Sequence, residues 1–180
     1  MNAQPAGIRQ PWTVVRQAVL ALLLILLPAT AQAQTFPKFT NFVVDQADII
    51  PAKMERQLDG KLADVQRRTR HQFAIATVSS LEGTPILEYS VQLARTWGVG
   101  RRHYDDGVLL LVAPVEHKVR IEVGYGLEAT LTDARCAEII RTLILPRFAQ
   151  QDLAGGIAAG ADAIIGRLRS AAPLERPNAS

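Results

Sequence analysis

Two apolar segments restrict the fold of this chain more than any other feature of its sequence. Residues 73–78 read FAIATV and residues 108–113 read VLLLVA, and neither segment alternates regularly between apolar and polar residues. Strands that are apolar throughout lie in sheets covered on both faces. The chain is therefore predicted to form an α/β domain in which helices pack on both sides of a sheet.

The second apolar strand leads into a predicted antiparallel hairpin. Pro114 cannot donate a hydrogen bond to a neighbouring strand, and residues 114–118 form the expected turn. The next segment, residues 119–123 (VRIEV), alternates, which directs its three apolar residues inward and Arg120 and Glu122 outward. The predicted sheet is therefore small and mixed, with one antiparallel pair.

Helices are expected around this sheet, each with a start signal and an apolar stripe. The start signals are Pro51, Thr84-Pro85, Thr132-Asp133 and Asp152. The residues expected to face the core are Leu87, Val91 and Ala94 in the second helix, and Cys136, Ile139, Ile140 and Leu143 in the third. Together with the sheet, these helices predict a three-layer α/β/α sandwich.

The first 33 residues are predicted to be a signal peptide. Arg9 and Arg16 precede the apolar residues 18–27, and Ala31-Gln32-Ala33 is a small-x-small cleavage site. A membrane-spanning helix needs about 20 apolar residues, so an uncleaved N-terminal anchor is the weaker alternative. The mature chain is expected to begin at Gln34 and to act outside the cytoplasm, in the periplasm or as a secreted protein.

The mature chain is expected to form one domain. Residues 34–40 are predicted to be a short linker, residues 41–170 the domain, and residues 171–180 a disordered tail. The whole chain has 20 basic and 17 acidic residues, and two of the basic ones leave with the signal peptide. The mature domain is therefore close to neutral, and a nucleic-acid partner is not expected. The only cysteine, Cys136, excludes an intramolecular disulfide.

Acidic residues and glycines flank the predicted hairpin. Asp105 and Asp106 precede its first strand, whereas Gly124-Tyr125-Gly126 and Glu128 follow its second, and Asp133 begins the next helix. Because one antiparallel strand starts beside the end of its partner, these residues are expected at one edge of the sheet. Carboxylates and carbonyl groups are ligands of hard cations such as Ca2+. The pattern predicts a cation site, although turn and helix-start chemistry accounts for the same residues.

Other cofactor and catalytic patterns are weaker. Gly124-x-Gly126-x-x-Ala129 fits a loose dinucleotide fingerprint. However, an antiparallel strand precedes it, and no parallel strand ending in an acid follows the next helix. A nucleotide cofactor is therefore not expected. The three histidines have no metal-ligand spacing, and the sequence contains no Gly-x-Ser-x-Gly motif.

Several segments together resemble the TPM domain family, which includes thylakoid-lumen photosystem II repair proteins and exported bacterial proteins. The similarity extends over residues 41–168, and residues 106–133 are its most specific part. The matching segments are residues 44–45 with 49–50, 97–100 (WGVG), 106–112 (DGVLLLV), 120–128 (RIEVGYGLE), 131–133 (LTD) and 146–157 (PRFAQQDLAGGI).

The resemblance implies an α/β/α fold and a divalent-cation site. Cation binding is reported for family members, and acid phosphatase activity for a plant member. The ligands expected by resemblance are Asp45, Asp105, Asp106, Glu128 and Asp133, with backbone near Gly126. The expected ion is Ca2+, with Mg2+ as the alternative. Two functions follow: an exported cation-binding accessory module with membrane or envelope proteins as partners, or a metal-assisted acid phosphatase of low activity.

Overall fold

Strands and helices alternate along most of residues 34–171, which are the residues that the computed structural model describes. The predicted signal peptide and all but the first residue of the predicted tail lie outside the described residues. In chain order the elements are β1 (Val43–Asp45), α1 (Ala52–Thr69), β2 (Gln72–Thr77), α2 (Ile86–Trp97), β3 (Gly107–Ala113), β4 (Lys118–Val123), a 3-10 turn (Tyr125–Leu127), α3 (Asp133–Ile139), a π-helical turn (Ile140–Ile144), α4 (Leu145–Ala149) and α5 (Leu153–Ser170).

The described strands form one mixed sheet in the order β1-β2-β3-β4. The first three strands are parallel, and β4 pairs antiparallel with β3, with Val108 opposite Val123. The predicted antiparallel hairpin is therefore confirmed. Since β4 runs against the other strands, its end lies beside the starts of β2 and β3. We call this end of the strands, marked by Gln72, Gly107 and Val123, the hairpin edge. It is the open end of the hairpin, and the turn between β3 and β4 lies at the opposite end.

Helices cover both faces of the sheet, and β3 shows why its sequence is apolar throughout. Val108, Leu110 and Val112 belong to the core beneath α1 and α5, whereas Leu109 and Leu111 belong to the core beneath α2. Each fully buried aliphatic side chain of the size of valine or leucine contributes about 1.5–3 kcal/mol, so residues 108–113 each stabilise one core or the other. The three-layer α/β/α sandwich is confirmed. No helix within residues 34–171 is long and apolar enough to cross a membrane.

The orientation of α2 differs from the predicted one. Its buried residues include Tyr89, Leu93 and Trp97, whereas Leu87 is 55% exposed and Val91 is half-buried. The helix carries two apolar stripes, and the stripe with the larger aromatic side chains faces the sheet because it removes more apolar surface from water. The prediction that Leu87, with Val91, faces the core was therefore wrong.

Residues of the expected linker contact α2. The ring of Phe36 packs edge-on against Tyr89, with centroids 5.1 Å apart, and the ring of Phe39 lies 5.0 Å from that of Trp97. The indole Nε1 of Trp97 donates a hydrogen bond to the carbonyl of Pro37 at 2.8 Å. The segment has no regular secondary structure, but it packs on the domain and helps to bury the aromatic stripe.

A π-helical turn interrupts the third predicted helix. The amide of Leu145 donates to the carbonyl of Ile140, five residues earlier, immediately before Pro146, which has no amide hydrogen to donate. The wider turn adds one residue to the helical repeat. Ile144 is therefore buried, whereas Leu143 is 38% exposed. The prediction that Leu143 faces the core was wrong because it assumed an uninterrupted α-helix.

At the edge opposite the hairpin edge, Glu116 joins the β3–β4 turn to the loop after β2. Its Oε1 accepts hydrogen bonds from the amide of Leu81 at 2.7 Å and from Oγ of Ser80 at 2.9 Å. The Leu81 amide is the main cause that lowers the pKa of the Glu116 carboxyl below its usual value. The ionised carboxylate therefore fixes this turn to its neighbour.

Candidate functional site

A cleft of about 760 Å3 opens at the hairpin edge. One wall is the second half of α2, another is the loop between α2 and β3 (residues 98–106), and the third is the end of β4 with the 3-10 turn. We call this space the hairpin cleft. It lies where the sequence predicts that acids and glycines converge.

Glycines allow three backbone segments to meet beneath the hairpin cleft. A Cβ atom added to Gly107 would collide with the carbonyl of Val99, and one added to Gly124 would collide with the carbonyl of Asp105. The amide of Gly124 donates to the carbonyl of Gly107 at 2.8 Å. Only residues without a Cβ permit such close backbone contact.

Asp106 lies inside the loop rather than in the hairpin cleft. Its side chain is fully buried. One carboxylate oxygen accepts from the amide of Arg101 at 2.7 Å, and the other accepts from the Arg101 guanidinium at 2.7 Å. Nδ1 of the buried His71 lies 3.4 Å from the same carboxylate. These partners compensate the burial of the charge, so the contacts of Asp106 fix the path of the loop.

Asp105 and Glu128 are the predicted ligands that the structure brings to the same cleft. Both are exposed and line the hairpin cleft. Neither side chain has a hydrogen bond or an ion pair within the described residues. Asp105 has a left-handed backbone, with φ of 46°, and its carbonyl accepts from the amide of Gly126 at 3.0 Å. Two residues with unengaged carboxylates therefore line the same cleft.

Asp45 lies at the other edge of the sheet. Its carboxylate accepts hydrogen bonds from the amides of Ile49 at 3.2 Å and Ile50 at 2.7 Å, and from the hydroxyl of Thr77. It therefore orders the connection from β1 to α1, and the structure does not bring it together with Asp105 or the other predicted ligands.

Asp133 and Gly126 have positions that turn and helix-start chemistry explains. Asp133 is exposed in the first turn of α3, where a negative charge is favourable. Thr132 caps that helix by accepting from the amide of Arg135 at 3.3 Å. Across residues 34–171, no group of three or more His, Cys, Asp and Glu side chains is arranged to hold a metal ion. A cation here would therefore have few side-chain ligands.

The outward face of β4 is covered by α2 rather than by solvent. Glu122 accepts from Oγ of Ser90 at 3.0 Å and from Nε of Arg120 at 2.8 Å. Its side chain is 20% exposed and forms part of the wall of the hairpin cleft. The predicted alternation is confirmed, since Val119, Ile121 and Val123 pack on the other face. The prediction that Arg120 and Glu122 point outward was wrong, because both contact Ser90 of α2.

Sequence reasoning missed two features of the hairpin cleft. Arg95, in the last turn of α2, lines the cleft on the same side of the helix as Val91 and Ala94. Tyr125, at the opposite wall, is 81% exposed. The correct orientation of α2 would have identified Arg95, because it follows Val91 by one helical turn. The exposure of Tyr125 has no signal in the sequence.

The single cysteine is unsuited to nucleophilic chemistry. Cys136 is buried, and burial is the main cause that raises the pKa of its thiol to about 11. The thiol is therefore protonated near neutral pH, and a protonated thiol is a poor nucleophile. The interpretation of Cys136 as a small core residue is confirmed.

Comparisons with known proteins agree with this architecture. A family model described as the TPM domain matches residues 43–167. The N-terminal domain of a protein from P. gingivalis is 32% identical, with 72% of this chain and 82% of that chain covered and a TM-score of 0.67. A comparison with curated proteins gives no match.

Two further solved structures share the fold at lower identity. The N-terminal domain of the cg2496 protein from Corynebacterium glutamicum is 17% identical, covers 82% of this chain and 94% of its own, and has a TM-score of 0.57. The BA42 protein from Bizionia argentinensis is 16% identical, with 66% of this chain and 81% of that chain covered and a TM-score of 0.57. At these identities the similarity shows the fold alone.

Proposed function

Because the chain belongs to the TPM domain family, we propose that it is an exported accessory module that binds a divalent cation of the Ca2+ type in the hairpin cleft. The observation that carries this proposal is the pair Asp105 and Glu128. These two carboxylates line one cleft and have no other partner within residues 34–171. Membrane or envelope proteins are the partners that such a module would assist.

The donor set fits a hydrated Ca2+ ion. Asp105 and Glu128 offer carboxylate oxygens, whereas the carbonyls of Gly124 and Tyr125 already accept hydrogen bonds from the amides of Leu127 and Glu128. Ca2+ accepts six to eight oxygen ligands in flexible geometry, whereas Mg2+, the alternative ion, requires a near-ideal octahedron. With few protein ligands, water would fill most of the coordination shell. We expect weak affinity, with Kd about 10⁻⁴–10⁻³ M as in extracellular modules.

Added Ca2+ is expected to raise the melting temperature of the protein. At a tenfold excess over Kd, binding to the folded state alone adds about 1.4 kcal/mol, which corresponds to about 4 °C for a domain of this size. The double substitution Asp105→Asn, Glu128→Gln should abolish the rise, because it removes both charges and leaves the buried contacts of Asp106 intact. Thermal melts followed by circular dichroism, with and without Ca2+, measure the effect.

A matched control is the double substitution Asp48→Asn, Glu138→Gln. Both residues are exposed acids that do not line the hairpin cleft, so this variant should keep the full response to Ca2+. A response that survives loss of Asp105 and Glu128, or a wild-type melting temperature that stays constant up to about 10 mM Ca2+, a tenfold excess over the weakest expected Kd, would contradict the proposed cation site.

Export is the second part of the proposal. It rests on Arg9 and Arg16, the apolar residues 18–27 and the cleavage site at Ala33. The mature protein in the extracytoplasmic fraction should begin at Gln34, which N-terminal sequencing measures. A chain that begins at Met1 and stays with the membrane fraction would instead indicate an uncleaved anchor.

The metal-assisted phosphatase has less support from the hairpin cleft. Phosphoryl transfer needs an activated water or nucleophile and free cationic groups for the phosphoryl oxygens. Arg95 and Arg102 line the cleft, but the described lining residues include no Ser, Thr, Cys or His that could serve as a nucleophile or general base, and the guanidinium of Arg101 is bound to Asp106. A binding function uses the available carboxylates and needs no nucleophile.

A further inference from the structure

We propose that the hairpin cleft binds an extended, acidic peptide segment of a partner protein. The apolar side chains of the peptide would pack against α2, and its carboxylates would bind Arg95 and Arg102. This inference rests on the proposed function in that it names the class of partner for the same cleft. It uses a different set of residues, however, because the arginines belong to α2 and its following loop, whereas the cation would bind at Asp105 and Glu128.

The apolar part of the proposed surface is the second stripe of α2. Val91 and Ala94 line the hairpin cleft, and Leu87, one helical turn before Val91, is 55% exposed. Leu87 and Val91 do not belong to the core, which the stripe containing Tyr89 and Leu93 fills, whereas Ala94 packs against the border of that core. Covering the exposed part of Leu87 removes apolar surface from water, so a partner with apolar side chains gains affinity by lying there.

The charged part of the surface consists of two arginines without acidic partners. Arg95 and Arg102 line the hairpin cleft, and their side chains have no ion pair or hydrogen bond within residues 34–171. Arg101, between them in sequence, is held by Asp106 and stacks on Tyr104 with its guanidinium carbon 4.0 Å from the ring centre. An anion beside an apolar group therefore matches this wall in both charge and polarity.

The residue types and exposure favour a polypeptide over a small molecule. Small-molecule sites bury most of the ligand surface, whereas Arg102, Asp105, Tyr125 and Glu128 are exposed at the rim of this cleft. Tyrosine and arginine are enriched among the residues that dominate protein–protein binding. Tyr125, 81% exposed, provides a large aromatic surface opposite the stripe on α2.

The two proposals are coupled by charge. Without a cation, Asp105 and Glu128 repel an acidic peptide in the same cleft, and a bound Ca2+ would neutralise them. Ca2+ should therefore strengthen peptide binding by about fivefold, within the usual range of coupling between two sites. The dependence on Arg95 and Arg102 should remain whether or not the cation binds.

The test is fluorescence anisotropy of purified protein with a fluorescein-labelled peptide of alternating leucine and glutamate, compared with one in which lysine replaces glutamate. The glutamate peptide should bind more tightly. The double substitution Arg95→Glu, Arg102→Glu should weaken binding of the glutamate peptide at least about tenfold, since each attractive charge becomes repulsive. The lysine peptide should then bind more tightly than the glutamate peptide. Leu87→Ser, at an exposed position, should weaken the binding of both peptides to a similar degree.

The matched control is Arg141→Glu, Arg167→Glu, which makes the same charge change at exposed positions outside the cleft and should leave binding unchanged. Equal affinity for the two peptides, or binding that survives reversal of Arg95 and Arg102, would overturn the proposal. Displacement by inorganic phosphate, where chloride at equal ionic strength has no effect, would overturn it in favour of a small anion. Arginine-dependent binding that ignores Ca2+ would support the peptide site and count against the cation site.

Discussion

The substitution Asp106→Asn is expected to lower the free energy of unfolding by about 2–4 kcal/mol, because it leaves buried polar groups without their charged partner. Asp106 is fully buried and accepts from the amide and the guanidinium of Arg101, with His71 beside it. The side chain of Arg101 is 28% exposed and can partly regain water, which places the loss below the largest values for buried pairs.

The adjacent residue provides the control for this prediction. Asp105 is exposed, and its side chain has no partner within residues 34–171. Asparagine also tolerates the left-handed backbone found there, so Asp105→Asn should change the free energy of unfolding by less than about 0.5 kcal/mol. Urea unfolding of both variants measures the difference. Equal stability of the two variants would show that the contacts of Asp106 do not hold the loop.

The substitution Gly124→Ala is expected to lower the free energy of unfolding by about 3 kcal/mol or more, or to prevent folding. The added Cβ would collide with the backbone carbonyl of Asp105, and backbone cannot move aside as a flexible side chain can. Overpacking by single methyl groups in cores costs about 1–3 kcal/mol. The backbone of Gly124, with φ of −71° and ψ of 150°, is one that alanine adopts readily, so any loss would come from the collision.

Gly60→Ala is the matched control, since it adds the same methyl group in the middle of α1 with nothing within 4 Å. Alanine has higher helix propensity than glycine, so this variant should be more stable than wild type by about 0.5–1 kcal/mol. Opposite shifts of the urea midpoint are therefore expected for the two variants. A Gly124→Ala protein of wild-type stability would mean that the loop containing Asp105 can withdraw.

Strands β2, β3 and β4 could be predicted from the sequence because they carry local signals, whereas β1, only three residues long, was not predicted. The uninterrupted apolar run of β3 reflects burial on both faces, and Pro114 marks the start of the turn that follows. The start of α5 was equally clear: Asp152 accepts from the amide of Gly155 at 2.9 Å, as a capping residue does. Each of these features depends on residues that are close together in the chain.

The features that could not be predicted depend on competition between alternatives that are similar in sequence. Both stripes of α2 are apolar, and the contacts of Phe36 and Pro37 with the aromatic stripe help to decide which one is buried. Asp105 and Asp106 are the same residue type at adjacent positions. Which of them enters the interior depends on Arg101 folding back along the loop, and no periodicity describes that choice.

The backbone contacts beneath the hairpin cleft have a consequence for the thermodynamics of binding. Gly107 lies against Val99, and Gly124 lies against Asp105, so the chain segments that form the cleft are already ordered before any ligand arrives. A ligand then restricts only rim side chains such as Arg102 and Tyr125, at about 0.5–1.5 kcal/mol for each one immobilised. Differences in affinity between ligands should therefore arise at the rim, while the floor acts as a preorganised support whose conformational entropy was lost during folding.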